Sequence, residues 1–79
     1  MDEIYLYPNP TKGNFEIELP MAYGKANIEI INTFGQTIMQ KITNGDQKTS
    51  IFLDAPVGIY FMKIRNSADK LNVLKLLKE

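Results

Sequence analysis

The sequence predicts an all-β fold, an Ig-like antiparallel β-sandwich of about seven strands. Three observations carry that prediction. Apolar residues recur at every second position, Gly, Pro and Asn separate the runs, and the runs are short and closely spaced. The spacing suits a single domain over residues 1–79.

Ile4 to Tyr7 opens the chain as a strand, and Pro8 and Pro10, which cannot donate to a ladder, end it or hold it at an edge. Phe15, Ile17 and Leu19 alternate with Asn14, Glu16 and Glu18, the pattern of a half-buried strand. Ile28 and Ile30 alternate with Asn27 and Glu29 in the same way. Phe34-Gly35 then turns the chain, with glycine free of the Cβ clash, and Gln36 to Ile42 reads as extended. Asn44-Gly45 suits a type I′ hairpin into the next strand. There Thr49, Ile51 and Leu53 alternate with Lys48, Ser50 and Asp54, leaving Phe52 on the outer side. Ile59 to Ile64 is apolar on both faces, which marks a central strand whose outer face is partly covered. Asn66-Ser67-Ala68-Asp69 is a turn of side chains that bond their own backbone. Leu71 to Leu77 closes the chain but fits neither period cleanly. A strand with a bulge near Val73-Leu74 is the preferred reading, with an amphipathic helix through Leu74 and Leu77 as the alternative.

Composition narrows the function. The chain has 79 residues, 44% of them hydrophobic, which is globular rather than disordered. A domain of this size hides only about 60–65% of its unfolded surface. Without cysteine, no disulfide or thiolate metal site can reinforce the core. No apolar run is long enough to cross a membrane, and the acidic start Met1-Asp2-Glu3 is unlike a signal peptide. Either the protein stays inside the cell or it is a piece cut from a longer one, and Met1 directly before a strand suggests the second. Net charge is zero but uneven: residues 1 to 62 sum to −3 and residues 63 to 79 to +3. Solvated strand faces and edge-protecting lysines explain the basic tail better than nucleic-acid binding, since arginine clusters are missing.

Catalytic chemistry has little to stand on. The chain has no histidine or cysteine, Ser50 and Ser67 lack a nucleophile context, and Glu16, Glu18 and Glu29 fall on polar strand faces. The acids lack the spacing of an EF-hand loop, and no glycine loop cradles a phosphate, so no enzyme activity and no cofactor or metal are expected. Most aromatics fall on inward parity or beside turns, which favours packing over a stacking platform. Tyr60 after Leu53-Asp54-Ala55-Pro56-Val57-Gly58-Ile59 has the character of a tyrosine corner.

Taken in order, the motifs resemble one family. Tyr7-Pro8-Asn9-Pro10 with Gly13-Asn14-Phe15 is similar to the opening signature of type A type IX secretion C-terminal sorting domains. Asn32-Thr33-Phe34-Gly35-Gln36-Thr37-Ile38 resembles their hairpin motif, Pro56-Val57-Gly58-Ile59-Tyr60-Phe61 their G-x-Y strand, and Lys70 to Lys78 their closing lysine-rich strand. The resemblance implies a non-catalytic label on an N-terminal cargo in Bacteroidetes-type bacteria. The cargo crosses the periplasm and is exported by the type IX translocon. The resemblance further implies outer-membrane shuttle and sortase proteins as partners, with the label cleaved by a surface sortase-like enzyme and the cargo attached at the cell surface. It also implies that Gly58, Tyr60, Lys70, Val73 and Lys75 carry the signal, whereas Pro8, Asn9, Pro10, Gly13 and Gly35 shape the fold. An exposed last strand would also allow self-pairing into a homodimer. The alternative function is a fibronectin-III-like or carbohydrate-binding accessory module of a secreted hydrolase, against which the lack of tryptophan counts.

Overall fold

Alternation of apolar and polar residues sorts the chain into two layers. The computed structural model describes residues 3–79, with β1 (Tyr5–Tyr7), β2 (Asn14–Glu18), β3 (Lys25–Ile31), β4 (Thr37–Asn44), β5 (Lys48–Phe52), β6 (Gly58–Asn66) and β7 (Leu71–Lys78). A single 3-10 turn, Met21–Tyr23, links β2 to β3. One sheet has the order β1-β2-β5 and the other β4-β3-β6-β7, every pair antiparallel. This is the Ig-like sandwich that the alternation predicts.

The inner faces build one core. Phe15, Ile17, Leu19, Ile51 and Leu53 from the smaller sheet meet Ala26, Ile28, Ile30, Tyr60, Met62, Ile64 and Leu76 from the larger. Each such large side chain contributes about 1.5–3 kcal/mol relative to exposure. Tyr23 closes one end: its hydroxyl lies 3.2 Å from the Ile64 carbonyl and 3.1 Å from Asn72 Oδ1, and burial raises its pKa above the ordinary value. As expected for a central strand, β6 lies between β3 and β7, with Phe61 half-buried on its outer side.

Two hairpin loops share one solution. Asn32 Oδ1 accepts the Phe34 and Gln36 N–H groups at 2.9 and 3.0 Å, and Asn66 Oδ1 accepts those of Ala68 and Lys70 at 3.1 and 2.8 Å. In both loops the asparagine N–H donates to the carbonyl four residues on. The fourth residue takes positive φ in each: Gly35 at 84° and Asp69 at 65°. The left-handed region costs glycine nothing but strains a side chain, so Gly35 suits its place while Asp69 is held there by the Asn66 bonds and its 2.7 Å contact with Arg65.

Three expectations need correction. Asn44-Gly45 closes no hairpin, because β4 and β5 belong to different sheets and the link carries the chain across the sandwich. The expected bulge near Val73-Leu74 is absent, since β7 pairs with β6 in continuous register from Leu71 to Lys78. The irregularity instead falls at Ile30/Ile31, opposite the β4 edge. Nor does the last segment form a helix. Its leucines look aperiodic because Leu71 and Val73 lie on the exposed outer face, at 43% and 57%, while Leu76 is fully buried.

Thr43 is a flaw in the core. It is 2% exposed, and its Oγ1 has no hydrogen-bond partner among the described residues. Thr43→Val keeps the shape and removes the unpaired hydroxyl, so it should raise stability by about 1 kcal/mol, read as a higher midpoint in urea.

Candidate functional site

The final hairpin and the loop that braces it make up the site. β6 and β7 pair over their full length, from Gly58 opposite Lys78 to Arg65 opposite Leu71. Since β7 is an edge strand, only one of its flanks is fixed by this ladder. Its other flank meets the loop between β1 and β2. Asn9 Nδ2 donates to the Lys75 carbonyl at 2.8 Å, and Asn9 Oδ1 accepts the Leu77 N–H at 2.9 Å. Two residues on, the Thr11 N–H donates to Leu77 O and the Glu79 N–H donates to Thr11 O, both at 2.8 Å, making a parallel bridge to Lys78.

The loop can reach β7 because its own geometry is fixed. Pro8 and Pro10 hold φ on either side of Asn9. Thr11 Oγ1 donates to the Asn14 carbonyl at 2.6 Å and accepts the Gly13 N–H at 3.0 Å. Gly13 has φ of 138°, and a Cβ there would sit 3.0 Å from Phe52 Cε1, so glycine is favoured both by backbone and by space. Gly13 O also accepts the Leu53 N–H at 2.8 Å, tying the loop to β5.

The five residues expected to carry the signal do not form one cluster. Val73 and Lys75 lie exposed in β7, and Lys70 is exposed in the turn just before it. Gly58 opens β6 at the opposite end, with no atom within 4 Å of where a Cβ would stand. Tyr60 is 5% exposed, and its hydroxyl donates to the Pro56 carbonyl at 2.5 Å, the corner bond that its setting predicts.

Sequence reasoning missed several contributors. Thr11 gave no signal, being a polar residue in a Pro- and Gly-rich stretch. Lys78 turns away from solvent, its Nζ donating to the Ala55 carbonyl. At the Gly58 end, Phe34 and Val57 are 86% and 73% exposed and border a cleft of about 470 Å³ between the two turns. On the smaller sheet Tyr5 and Tyr7 face outward rather than into the core, beside Phe52, whose outward side the alternation of β5 predicts. The Tyr7 hydroxyl donates to Glu18 Oε2 at 2.9 Å, and that bond to a carboxylate raises its pKa. Among the described residues, no three acidic, histidine or cysteine side chains converge on a metal position.

A seven-stranded sandwich with these turns and a braced final hairpin is an Ig-like β-sandwich module. The model of the family described as secretion system C-terminal sorting domain matches residues 5–79, and the chain belongs to that family. It is thus a type IX secretion sorting signal, whose role is export of a cargo across the outer membrane. No curated protein is significantly similar to it.

Proposed function

We propose that residues 1–79 are the C-terminal label of a larger secreted protein and that the machinery reads it at the β6–β7 hairpin. Lys70, Val73 and Lys75 supply the contacts, while Gly58 and Tyr60 set the hairpin's entry. The observation that carries this reading is the exposure of β7 at the sheet edge, with Val73 57% exposed beside two exposed lysines. After translocation, outer-membrane shuttle and sortase proteins remove the label, and the cargo is attached at the cell surface. The label itself does no chemistry.

The test is a fluorescent reporter with a signal peptide and this domain at its C-terminus, expressed in a type IX-competent bacterium. Reporter outside wild-type cells, but retained in a strain lacking the translocon, is expected. Deleting Leu71 to Glu79 should trap the reporter in the periplasm; continued export of that deletion would overturn the hairpin reading.

One observation favours a second reading. The register places Tyr5, Tyr7 and Phe52 on a single outer face with Glu16 and Glu18, an arrangement that could hold a sugar ring. Consistent binding on a glycan array, lost in Tyr7→Ala, would establish a carbohydrate-binding accessory role.

A further inference from the structure

The outer edge of β7 is closed over its second half and open over its first. Leu77 turns both its N–H and its C=O outward, where Asn9 and Thr11 take them. Alternation along a strand therefore turns the main-chain groups of Val73 and Lys75 outward too, together with the Leu71 carbonyl. Asn9 takes the Lys75 carbonyl, which leaves the Lys75 N–H, both groups of Val73 and the Leu71 carbonyl with no strand beside them among the described residues.

The Asn9 carboxamide acts here as a piece of neighbouring strand. Its N–H and its oxygen meet two successive outward groups of β7, as the N–H and C=O of one residue of a parallel partner do. Thr11 repeats the pattern with its own main chain. The chain thus supplies two rungs of a parallel ladder and stops at Lys75. Charge marks the open remainder. Lys70 and Lys75 bracket it, both are exposed, and neither forms an ion pair among the described residues.

We propose that the edge from Leu71 to Lys75 is a docking edge for a short extended polypeptide carrying acidic side chains, and that Asn9 fixes its length by ending it. This rests on the reading of the β6–β7 hairpin as the recognised element and says how it is read. Main-chain bonds give the affinity, and the outward Leu71 and Val73 side chains with the flanking lysines give the preference. A second copy of the domain fits less well. Pairing β7 with another β7 brings lysines onto a lysine-bearing strand, and the Asn9–Thr11 segments of both copies block the ladder beyond Lys75.

Val73→Pro removes an outward N–H while leaving the ladder to β6 intact, and proline is tolerated on edge strands. In the reporter assay it should lower export by about tenfold, whereas Val73→Thr, which keeps the donor, should stay within about twofold. Lys70→Glu combined with Lys75→Glu should also lower export, and Lys70→Arg with Lys75→Arg should not. Normal export of Val73→Pro would overturn the docking edge. Should Val73→Pro melt early, Leu71→Pro at the first residue of the strand serves in its place, since it crowds the same edge. Sedimentation of the isolated domain covers the remaining occupant. A dimer abolished by Val73→Pro with unchanged export would assign the edge to a second copy and overturn the proposal. If the unaltered label itself fails to export, the sorting reading fails; if only Val73→Pro exports normally, the edge alone fails.

Discussion

Leu76→Ala should unfold a large fraction of this domain at 37 °C. Leu76 is 0% exposed and is the one fully buried side chain of β7 among the described residues. It stands opposite Tyr60, itself in the core, so the methyl groups removed leave space that neither sheet can close without shifting. Truncations of this kind cost about 2–5 kcal/mol, against a total stability of about 5–15 kcal/mol for domains in general. A domain this small sits toward the lower end. Far-ultraviolet dichroism against temperature should show a strongly lowered midpoint, and a midpoint within a few degrees of the parent would contradict the core assignment. The same variant serves as a control for recognition. It removes export by removing the fold, whereas Val73→Pro blocks an edge on the same strand and leaves the core alone.

How far the sequence could be read depends on whether the cause of a feature is local. The parity of β2 and β5 was legible because Phe15, Ile17, Ile51 and Leu53 all face the same apolar layer. The Asn32–Gln36 and Asn66–Lys70 loops were legible because their hydrogen bonds close within five residues. Asn44-Gly45 misled because turn chemistry says only that the chain bends. Whether the next strand pairs with the last or crosses to the other sheet depends on which faces must be buried, and β4 buries little besides Thr43. The last strand hid its period because an edge strand of this sheet carries Leu71 and Val73 outward, where the ordinary pattern expects polar residues. The family resemblance singles out Asn9 and Gly13 only as positions expected to shape the fold; in the structure Asn9 bonds to β7 and Gly13 to Leu53 after β5. Residue type alone could not show that Asn9 reaches 66 positions along the chain to do it.

Thr11→Val should be the most damaging substitution that changes almost no volume. Thr11 is 1% exposed, and its hydroxyl does two things at once, donating to Asn14 and accepting from Gly13. A valine fills the same space but leaves the Gly13 N–H and the Asn14 carbonyl without that partner. An unpaired buried group costs about 1–3 kcal/mol, so the pair together should cost about 2–6 kcal/mol. Loss of those two bonds also loosens the segment that carries Asn9 and the bridge to Lys78, so the damage should spread to β7. Hydrogen exchange is the fitting measurement. The Leu77 and Glu79 amides, held by Asn9 and Thr11, should lose protection in Thr11→Val well before the β3–β6 ladder does. Equal loss across the whole sandwich would mean that the loop is only part of the common core and braces nothing in particular. The comparison with Thr43→Val sharpens the point: the same chemical change should destabilise where the hydroxyl is doubly bonded and stabilise where it is buried alone.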